Sequence, residues 1–240
     1  MQSLPAWMPW RECWVYGSAL VLLVASAGLC FSRTALLGVW AFGACRAIEA
    51  ALYVPEIASK PLSLVGWYPF CEALTSIVGA WVLGALLQRQ SRGSAIGGMA
   101  GEGGMRAAVV LFGLTCVFYG WSHFLYADYT AGMVPAWLPS HLPVAYFTGA
   151  AHIAAGVAIV VGILPGLAAT LEAIMMSLFG LLVWVPSFFA QARPDWAGPP
   201  ANQWSELVVN VVLAASAWIV AIYLGRGSQE AVGVPGGSSG

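Results

Sequence analysis

Two histidines have the side-chain type and the spacing for chemistry inside a membrane. His123 and His152 lie on consecutive apolar segments, at a similar predicted distance from the same membrane face. The pattern fits two structural histidines that hydrogen-bond between helices, or a site for a polar headgroup or a quinone. Ligation of haem or a metal by both histidines has the least support, because no further ligand accompanies them and H-E-x-x-H is absent. We therefore predict no metal site.

The last apolar segment adds a carboxylate. Glu206 opens this segment, and Asn210 follows one helical turn later on the same face. A carboxylate there could accept a proton beside a histidine that donates to a quinone carbonyl. Trp137 lies in the proline-stiffened loop DYTAGMVPAWLPSHLP, which either forms a lid over these groups or anchors the chain at the interface. The candidate ligand-binding residues are thus His123, His152, Glu206, Asn210 and Trp137.

A second polar set lies in the first half of the chain. Arg46 and Glu49 are spaced i, i+3, so they can pair on one helix face. Glu72 on the following segment can complete the cluster, which we interpret as a structural ion pair that fixes helix register. These groups also lie toward the predicted outer face. Glu172 is the one intramembrane carboxylate predicted near the inner end of its helix.

The elements that carry these residues are transmembrane helices. The chain of 240 residues is 60% hydrophobic and only 8% charged, whereas soluble domains carry about 25% charged residues. A net charge of −1 leaves no basic surface for nucleic acid, so the expected partner is the lipid bilayer. The sequence predicts an all-α polytopic bundle of about seven helices, at 13–31, 35–54, 64–87, 107–127, 147–164, 166–186 and 204–224.

An internal echo indicates an old duplication. PAWMP at 5–9 returns as PAWLP at 135–139, and Val54-Pro55 returns as Val185-Pro186. Ala80-Trp81 likewise returns as Ala217-Trp218. Helices one to three thus match helices five to seven, and helix four lacks a counterpart. We predict two parallel four-helix repeats, the first without its first helix. The domains are an incomplete repeat, a Gly-rich linker, a complete repeat and a disordered tail, at 1–90, 91–106, 107–224 and 225–240.

The loop cations set a predicted orientation. One side of the membrane receives Arg33, Arg89, Arg92, Arg106 and Arg226. The other side receives Arg11, Lys60 and Arg193. Cytoplasmic loops carry an excess of Lys and Arg. We therefore expect a protein of the bacterial inner membrane with a cytoplasmic C-terminus and an N-terminus outside.

Three stretches of the second half resemble the DoxX-like membrane proteins. They are Gly120-Trp121-Ser122-His123-Phe124, Val134-Pro135-Ala136-Trp137-Leu138-Pro139, and the small-residue run from Thr148 to Gly156 around His152. The resemblance covers 106–224 directly and implies a four-helix membrane bundle. Some relatives are subunits of thiosulfate:quinone oxidoreductase, and others associate with redox-stress proteins. Many relatives have a glutamate near the place of His152, so the role of that glutamate is not carried over.

Three functions remain open at this stage. The first is an accessory subunit of a membrane redox or quinone-linked system, which needs a partner protein to supply electrons. The second is a small-molecule or lipid transporter, since parallel repeats and intramembrane charges suit transport. The third is a structural or assembly protein without a ligand. We do not expect the chain to catalyse a reaction alone, and we expect a neighbouring copy to fill the place of the absent helix.

Overall fold

The protein is an all-helical membrane bundle. The computed structural model describes residues 9–92, 98–190, 196 and 198–232. Seven of its helical segments are long and apolar enough to cross a membrane, as the composition predicts. The helices are α1 (Arg11–Leu29), α2 (Ala35–Ser59), α3 (Leu64–Arg92), α4 (Glu102–Leu125), α5 (Ala127–Met133), α6 (His141–Val161), α7 (Pro165–Phe179), α8 (Val185–Ser187) and α9 (Pro200–Val232). We call the face that holds residues 126–140 the upper face.

Several helices extend beyond their predicted ends. α6 begins at His141 rather than near residue 147, because Pro143 falls in its first turn, where a missing N–H costs nothing. α2 continues through Pro55 to Ser59. Within the predicted linker, Gly98–Ala100 form a 3₁₀ turn and α4 has already begun at Glu102.

The predicted tail and linker also differ from the structure in extent. α9 continues to Val232, into the tail that we predicted to be disordered from residue 225. The rest of that tail (233–240) and the middle of the linker (93–97) lie outside the described residues. The part of the linker that is described is fastened to α3, because Arg89 donates to the carbonyl of Ala100 at 2.7 Å.

Five helices form a closed ring. α3 contacts α4, α4 contacts α6, α6 contacts α7, α7 contacts α9, and α9 returns to α3. The buried cluster of mainly small and aliphatic side chains lies inside this ring, on α3, α4, α6, α7 and α9. α2 packs on α3, and α1 packs on α2, so both lie outside the ring. The ring places residues from both halves of the chain around one interior.

Glycines bring α4 and α6 into backbone contact. A Cβ on Gly113 would lie 2.8 Å from the carbonyl oxygen of Gly156, and one on Gly149 would lie 3.0 Å from that of Gly120. Each glycine pair is reciprocal, so the two antiparallel helices meet at two points along their length. Close approach through small residues is a usual basis of helix packing in lipid. The close approach of the two backbones therefore also brings the side chains that follow these glycines on α4 and α6 near one another.

A tight turn joins α6 to α7. Gly162 ends α6 with φ +79°, a left-handed conformation that glycine adopts without strain. The N–H of Ile163 reaches back to the carbonyl of Ala158 at 2.9 Å, and Pro165 occupies the first position of α7. The two helices therefore run antiparallel, and residues equally far from the turn lie at similar depth.

A π-helical segment follows α7 directly. Gly180–Trp184 are π-helical, and α8 follows directly with Pro186 in its first turn. Proline lacks an N–H and clashes with the carbonyl four residues earlier, which favours a wider turn before it. Asn210 of α9 packs against Gly180, where a Cβ would collide with its amide oxygen.

α3 and α9 approach each other closely at one point. A Cβ on Gly79 would lie 2.9 Å from the Cα of Ser216. These residues immediately precede Ala80-Trp81 and Ala217-Trp218, the pairs that relate the two halves in the sequence.

Candidate functional site

The interior of the ring holds a buried histidine–glutamate pair. His152 Nδ1 of α6 and Glu172 Oε1 of α7 are 2.7 Å apart, and their side chains are 2% and 0% exposed. His152 lies near the middle of α6, about 16 Å from its upper end at about 1.5 Å per residue. The second carboxyl oxygen, Glu172 Oε2, is buried without a hydrogen-bond partner among the residues that the structure describes. The pair shares one hydrogen bond, and which of the two atoms donates depends on the tautomer of His152.

His123 of α4 stands next to this pair. Its ring centroid is 5.2 Å from that of His152, in an edge-to-face arrangement. The Thr148 hydroxyl donates to the carbonyl of Ala145 at 3.0 Å, so its oxygen accepts from His123 Nδ1, 3.0 Å away. Nδ1 therefore carries a proton, and in the neutral ring Nε2 is an acceptor. Phe179 of α7 contacts both imidazoles, at 6.0 and 5.7 Å between ring centroids.

Hydroxyl and thiol groups complete the site from α3 and α4. Thr75 Oγ1 lies 3.0 Å from Thr115 Oγ1 and 3.1 Å from the Tyr119 hydroxyl, and all three side chains are buried. The Tyr119 ring is 6.3 Å from the His152 ring. Cys116, one turn before Tyr119 and also buried, interacts with the Glu172 carboxyl. Four helices thus supply one connected polar interior.

The structure brings together some of the predicted ligand-binding residues and not others. His123 and His152 meet, as their spacing predicts. Glu206 interacts instead with Tyr129 of α5 and Tyr68 of α3. Asn210 packs on Gly180, as described above.

Trp137 likewise stands apart from the histidines. It lies in the segment between α5 and α6 with 70% of its surface exposed. Trp196, in contrast, packs against another tryptophan: its ring lies 5.4 Å from that of Trp184. Its carbonyl accepts a hydrogen bond from the Tyr129 hydroxyl at 3.1 Å.

The other predicted polar set lies between α2 and α3. Arg46 Nη1 contacts Glu49 Oε2 one turn along α2, as the spacing predicts. Glu72 of α3 is 3% exposed, and the buried Tyr53 interacts electrostatically with Arg46, Glu49 and Glu72. Arg46 Nε is buried and has no hydrogen-bond partner within the described part of the chain. The structure contains the Arg46–Glu49 pair that the spacing predicts, although Arg46 lies near the middle of α2 rather than its outer end. The structural role of the cluster with Glu72 stays a prediction.

Sequence reasoning missed the partner of His152. Depth was counted from a helix start near residue 147, which placed His152 high and left Glu172 alone near the inner end. With α6 starting at His141, the two residues lie at similar depth. The signal was present in the chain, because Gly162 lies midway between His152 and Glu172 and a hairpin folded there must pair them.

The site has the chemistry of proton binding. It contains a buried imidazole–carboxyl pair, a buried phenol and a second, partly buried imidazole. Among the described residues no group of three or more His, Cys, Asp and Glu is placed to hold a metal ion. Ionisable groups at this depth are costly, so they are expected to be functional.

Comparisons with known proteins found no match: no family model fits the chain, and no curated protein and no solved structure is significantly similar to it. The resemblance to DoxX-like proteins stays a prediction that rests on the motifs quoted above.

Proposed function

We propose that this integral membrane protein is an accessory subunit of a quinone-linked redox system, in which the His123, His152 and Glu172 site takes up and releases a proton. The observation that carries the proposal is the buried hydrogen bond between His152 and Glu172. A shared proton keeps the pair neutral, and a change in the charge nearby can release or recruit it. Quinone reduction consumes protons together with electrons, so a proton donor beside the quinone is useful chemistry.

An apolar groove on the outer surface of α6, lined by Phe124 but by neither histidine, suits the hydrocarbon part of a quinone. The groove has a volume of about 450 Å³ and runs along α6 from Phe124, the neighbour of His123, to Ile163. Its lower part is formed by Val157, Val161 and Ile163, which are exposed on the outside of the bundle. A prenyl chain could enter from the lipid there. The DoxX-like motifs support the same assignment, since some such proteins are subunits of a quinone oxidoreductase.

The proposal also includes a source of electrons, an orientation in the membrane and an arrangement of two repeats. Electrons would come from a partner protein, since the chain's described side chains offer no metal cluster for electron transfer. The excess of Lys and Arg in the lower loops supports a bacterial inner membrane with a cytoplasmic C-terminus. The contact between Gly79 and Ser216 supports two parallel repeats. A second copy of the chain is the expected neighbour of the first repeat.

Lipid extraction tests the quinone role. The wild-type protein, His123→Ala and the matched control His141→Ala would be purified in mild detergent, and bound quinone measured by mass spectrometry. We expect quinone with the wild type and with His141→Ala, which alters a histidine at the upper end of α6, and at least a tenfold loss in His123→Ala. Quinone absent from the wild type, or equal in all three proteins, would contradict the proposal.

A proton-coupled transporter of a small molecule or lipid is the second candidate, because His152 and Glu172 lie near mid-membrane rather than at the outer face. Transporters hold their coupling sites at that depth. Proteoliposomes with an internal pH dye distinguish the two. Proton flux that occurs without a redox partner, and that Glu172→Gln abolishes, would favour transport. No quinone and no flux would leave a structural or assembly role.

A further inference from the structure

Thr148 faces His123 across the contact between α4 and α6. Its hydroxyl oxygen lies 3.0 Å from His123 Nδ1, and the carbonyl oxygen of Ala145 lies 3.4 Å from the same nitrogen. A carbonyl oxygen can only accept a hydrogen bond, and the Thr148 hydroxyl donates its one proton to the backbone of α6, at the carbonyl of Val144 or Ala145. Both oxygens therefore accept from His123. This places the ring proton on Nδ1 and leaves Nε2 as the acceptor of the neutral ring.

The packing of the helices holds His123 in this position. A Cβ on Gly149, the residue after Thr148, would lie 2.8 Å from the Cβ of His123, so the histidine lies directly against the backbone of α6. Phe179 of α7 stacks on the imidazole, with 6.0 Å between the ring centroids and 29° between the ring planes. Neighbours from two helices thus fix both the ring plane and its distance from Thr148.

The His152–Glu172 pair presents the opposite kind of group. Its side chains are 2% and 0% exposed, and no Lys or Arg forms an ion pair with Glu172 in the part of the chain that the structure describes. A pair buried in this way is neutral, so it holds two protons. One lies in the hydrogen bond between Nδ1 and Oε1. The other resides on His152 Nε2, because a proton on Glu172 Oε2 would be a buried donor without an acceptor among the described residues.

A donor and an acceptor therefore meet where the two imidazoles touch, edge to face, with 5.2 Å between their centroids. We propose that Thr148 is a positioning residue: by holding His123 in the tautomer with the proton on Nδ1, it makes His123 the acceptor of the proton that the His152–Glu172 pair releases. One ring turns to align the two nitrogens, His152 Nε2 loses its proton, and His123 Nε2 gains it. His123 becomes an imidazolium, the pair is left with one negative charge, and the charge of the whole site is unchanged.

This inference rests on the proposed function for the destination of the proton, since a quinone carbonyl would take it from His123. The direction of transfer between the two histidines is set by the protein alone. It can therefore be measured whether or not quinone is bound.

Nitrogen NMR of protein labelled in its histidines reads the tautomers directly. The chain has three histidines, so the signals of His123, His141 and His152 can be assigned by replacing each with Gln in turn. A ring nitrogen that carries a proton differs in chemical shift from one that does not. At neutral pH we expect His123 protonated on Nδ1 only and His152 protonated on Nε2. A proton on His123 Nε2, or none on His152 Nε2, would overturn the inference.

Substitution of Thr148 separates positioning from a merely structural role. Thr148→Val removes the hydroxyl and keeps the shape of the side chain, so the Nδ1-protonated form of His123 should fall below the Nε2-protonated form. Thr148→Ser should restore the wild-type signals. Thr170→Val is the matched control, because Thr170 also bonds to the backbone of its own helix, at 2.8 Å from the carbonyl oxygen of Gly166. Unchanged His123 signals in Thr148→Val, or an equal change in the control, would overturn the role of Thr148.

Exchange NMR tests the transfer itself. Proton exchange between His152 Nε2 and His123 Nε2 should be present in the wild type and in Thr148→Ser and be lost in Thr148→Val. No exchange in the wild type, or equally fast exchange in Thr148→Val, would contradict the inference. Circular dichroism and gel filtration establish that each variant is folded. A wild-type protein without bound quinone contradicts the quinone role only, because these nitrogen signals decide the role of Thr148 by themselves.

Discussion

The five-helix ring and the peripheral pair α1 and α2 accommodate charge in different ways. Inside the ring, His152 and Glu172 are sealed from every side, and a single hydrogen bond joins them. On α2, Arg46 and Glu49 form an ion pair along one helix, with part of Glu49 exposed at the bundle surface. The first arrangement can be neutral by sharing a proton, whereas the second always contains the arginine charge.

The ring helices and the peripheral helices also differ in how much of their surface is buried. Only 6% of the apolar span of α1 is buried within the bundle, against 61% of that of α3. Glycines bring backbones together at both places: Gly113 meets Gly156 within the ring, and a Cβ on Gly38 of α2 would lie 2.6 Å from the carbonyl oxygen of Ala25 of α1. α1 nevertheless contacts mainly one helix, α2. The interior of the ring is therefore costly to change, whereas the exposed surface of α1 should tolerate substitution.

Removal of Glu172 should have the largest effect on stability. Glu172→Leu leaves His152 buried without its partner, and breaking such a pair costs about 3 kcal/mol or more. Glu49→Leu should cost less, about 1 kcal/mol, because the Glu49 side chain is 30% exposed and its ion pair with Arg46 is partly solvated. Unfolding in mixed detergent micelles measures both. His152→Leu combined with Glu172→Leu should recover part of the loss. Equal costs for the two single variants would remove the distinction between ring and periphery.

Filling a glycine contact should have the next largest effect. Gly156→Ala places a methyl group against the backbone of Gly113, and overpacking of this kind costs about 1–3 kcal/mol. Gly17→Ala in α1 is the matched control, since nothing lies within 4 Å of a Cβ there. The same unfolding assay should show no loss for the control. A Gly156→Ala protein as stable as the wild type would mean that α4 and α6 can separate at little cost.

Loss of one buried hydroxyl should cost less. Tyr119→Phe removes the hydrogen bond to Thr75 and should destabilise the bundle by about 1 kcal/mol. Tyr16→Phe alters an exposed tyrosine of α1 and should leave the unfolding free energy unchanged. If both variants behave alike, the hydroxyl network in the ring contributes nothing measurable to stability.

The smallest expected effect lies at the upper face. Partial burial, and then the charge of Glu206, raise the pKa of Tyr129 above its usual value of 10.0. An unfolded tyrosine ionises near pH 10 while Tyr129 stays neutral. Its contribution to stability is therefore complete below about pH 10 and is lost as the pH rises through the raised pKa.

Ultraviolet titration of tyrosinate checks this sign. Tyr129→Phe should remove a tyrosine that ionises later than the ordinary value and should reduce the loss of stability at alkaline pH. Tyr146→Phe controls for the removal of a hydroxyl. A Tyr129→Phe protein with the same alkaline loss of stability as the wild type would exclude a contribution from Tyr129.

The membrane-spanning helices and the contact between the two histidines could be predicted from the sequence alone. Seven long apolar runs with few charges allow little besides helices in lipid. His123 and His152 follow paired glycines on adjacent helices, so their contact could be expected from spacing alone. The i, i+3 pairing of Arg46 with Glu49 could also be predicted, because both residues lie on the same helix one turn apart.

The order of the helices around the ring could not be predicted in the same way. In a soluble helix, polar residues mark the outer face, but in lipid both faces are apolar. Leu171 is exposed and Ala173 is buried, yet both are apolar residues of α7. The position of α3 between α4 and α9 therefore left no pattern in the sequence. The missed partner of His152 had a simpler cause, an error of about six residues in the start of one helix.

The turn at Gly162 has a consequence for biosynthesis. α6 and α7 form a hairpin of two apolar helices with a very short connection, so they can leave the translocon together. An acidic residue alone at the centre of an inserting helix costs about 2.5–3.5 kcal/mol. Glu172 emerges soon after His152 and meets it as the hairpin closes. Glu172 thus enters the lipid with its partner His152 already synthesised, which would reduce the penalty for inserting α7.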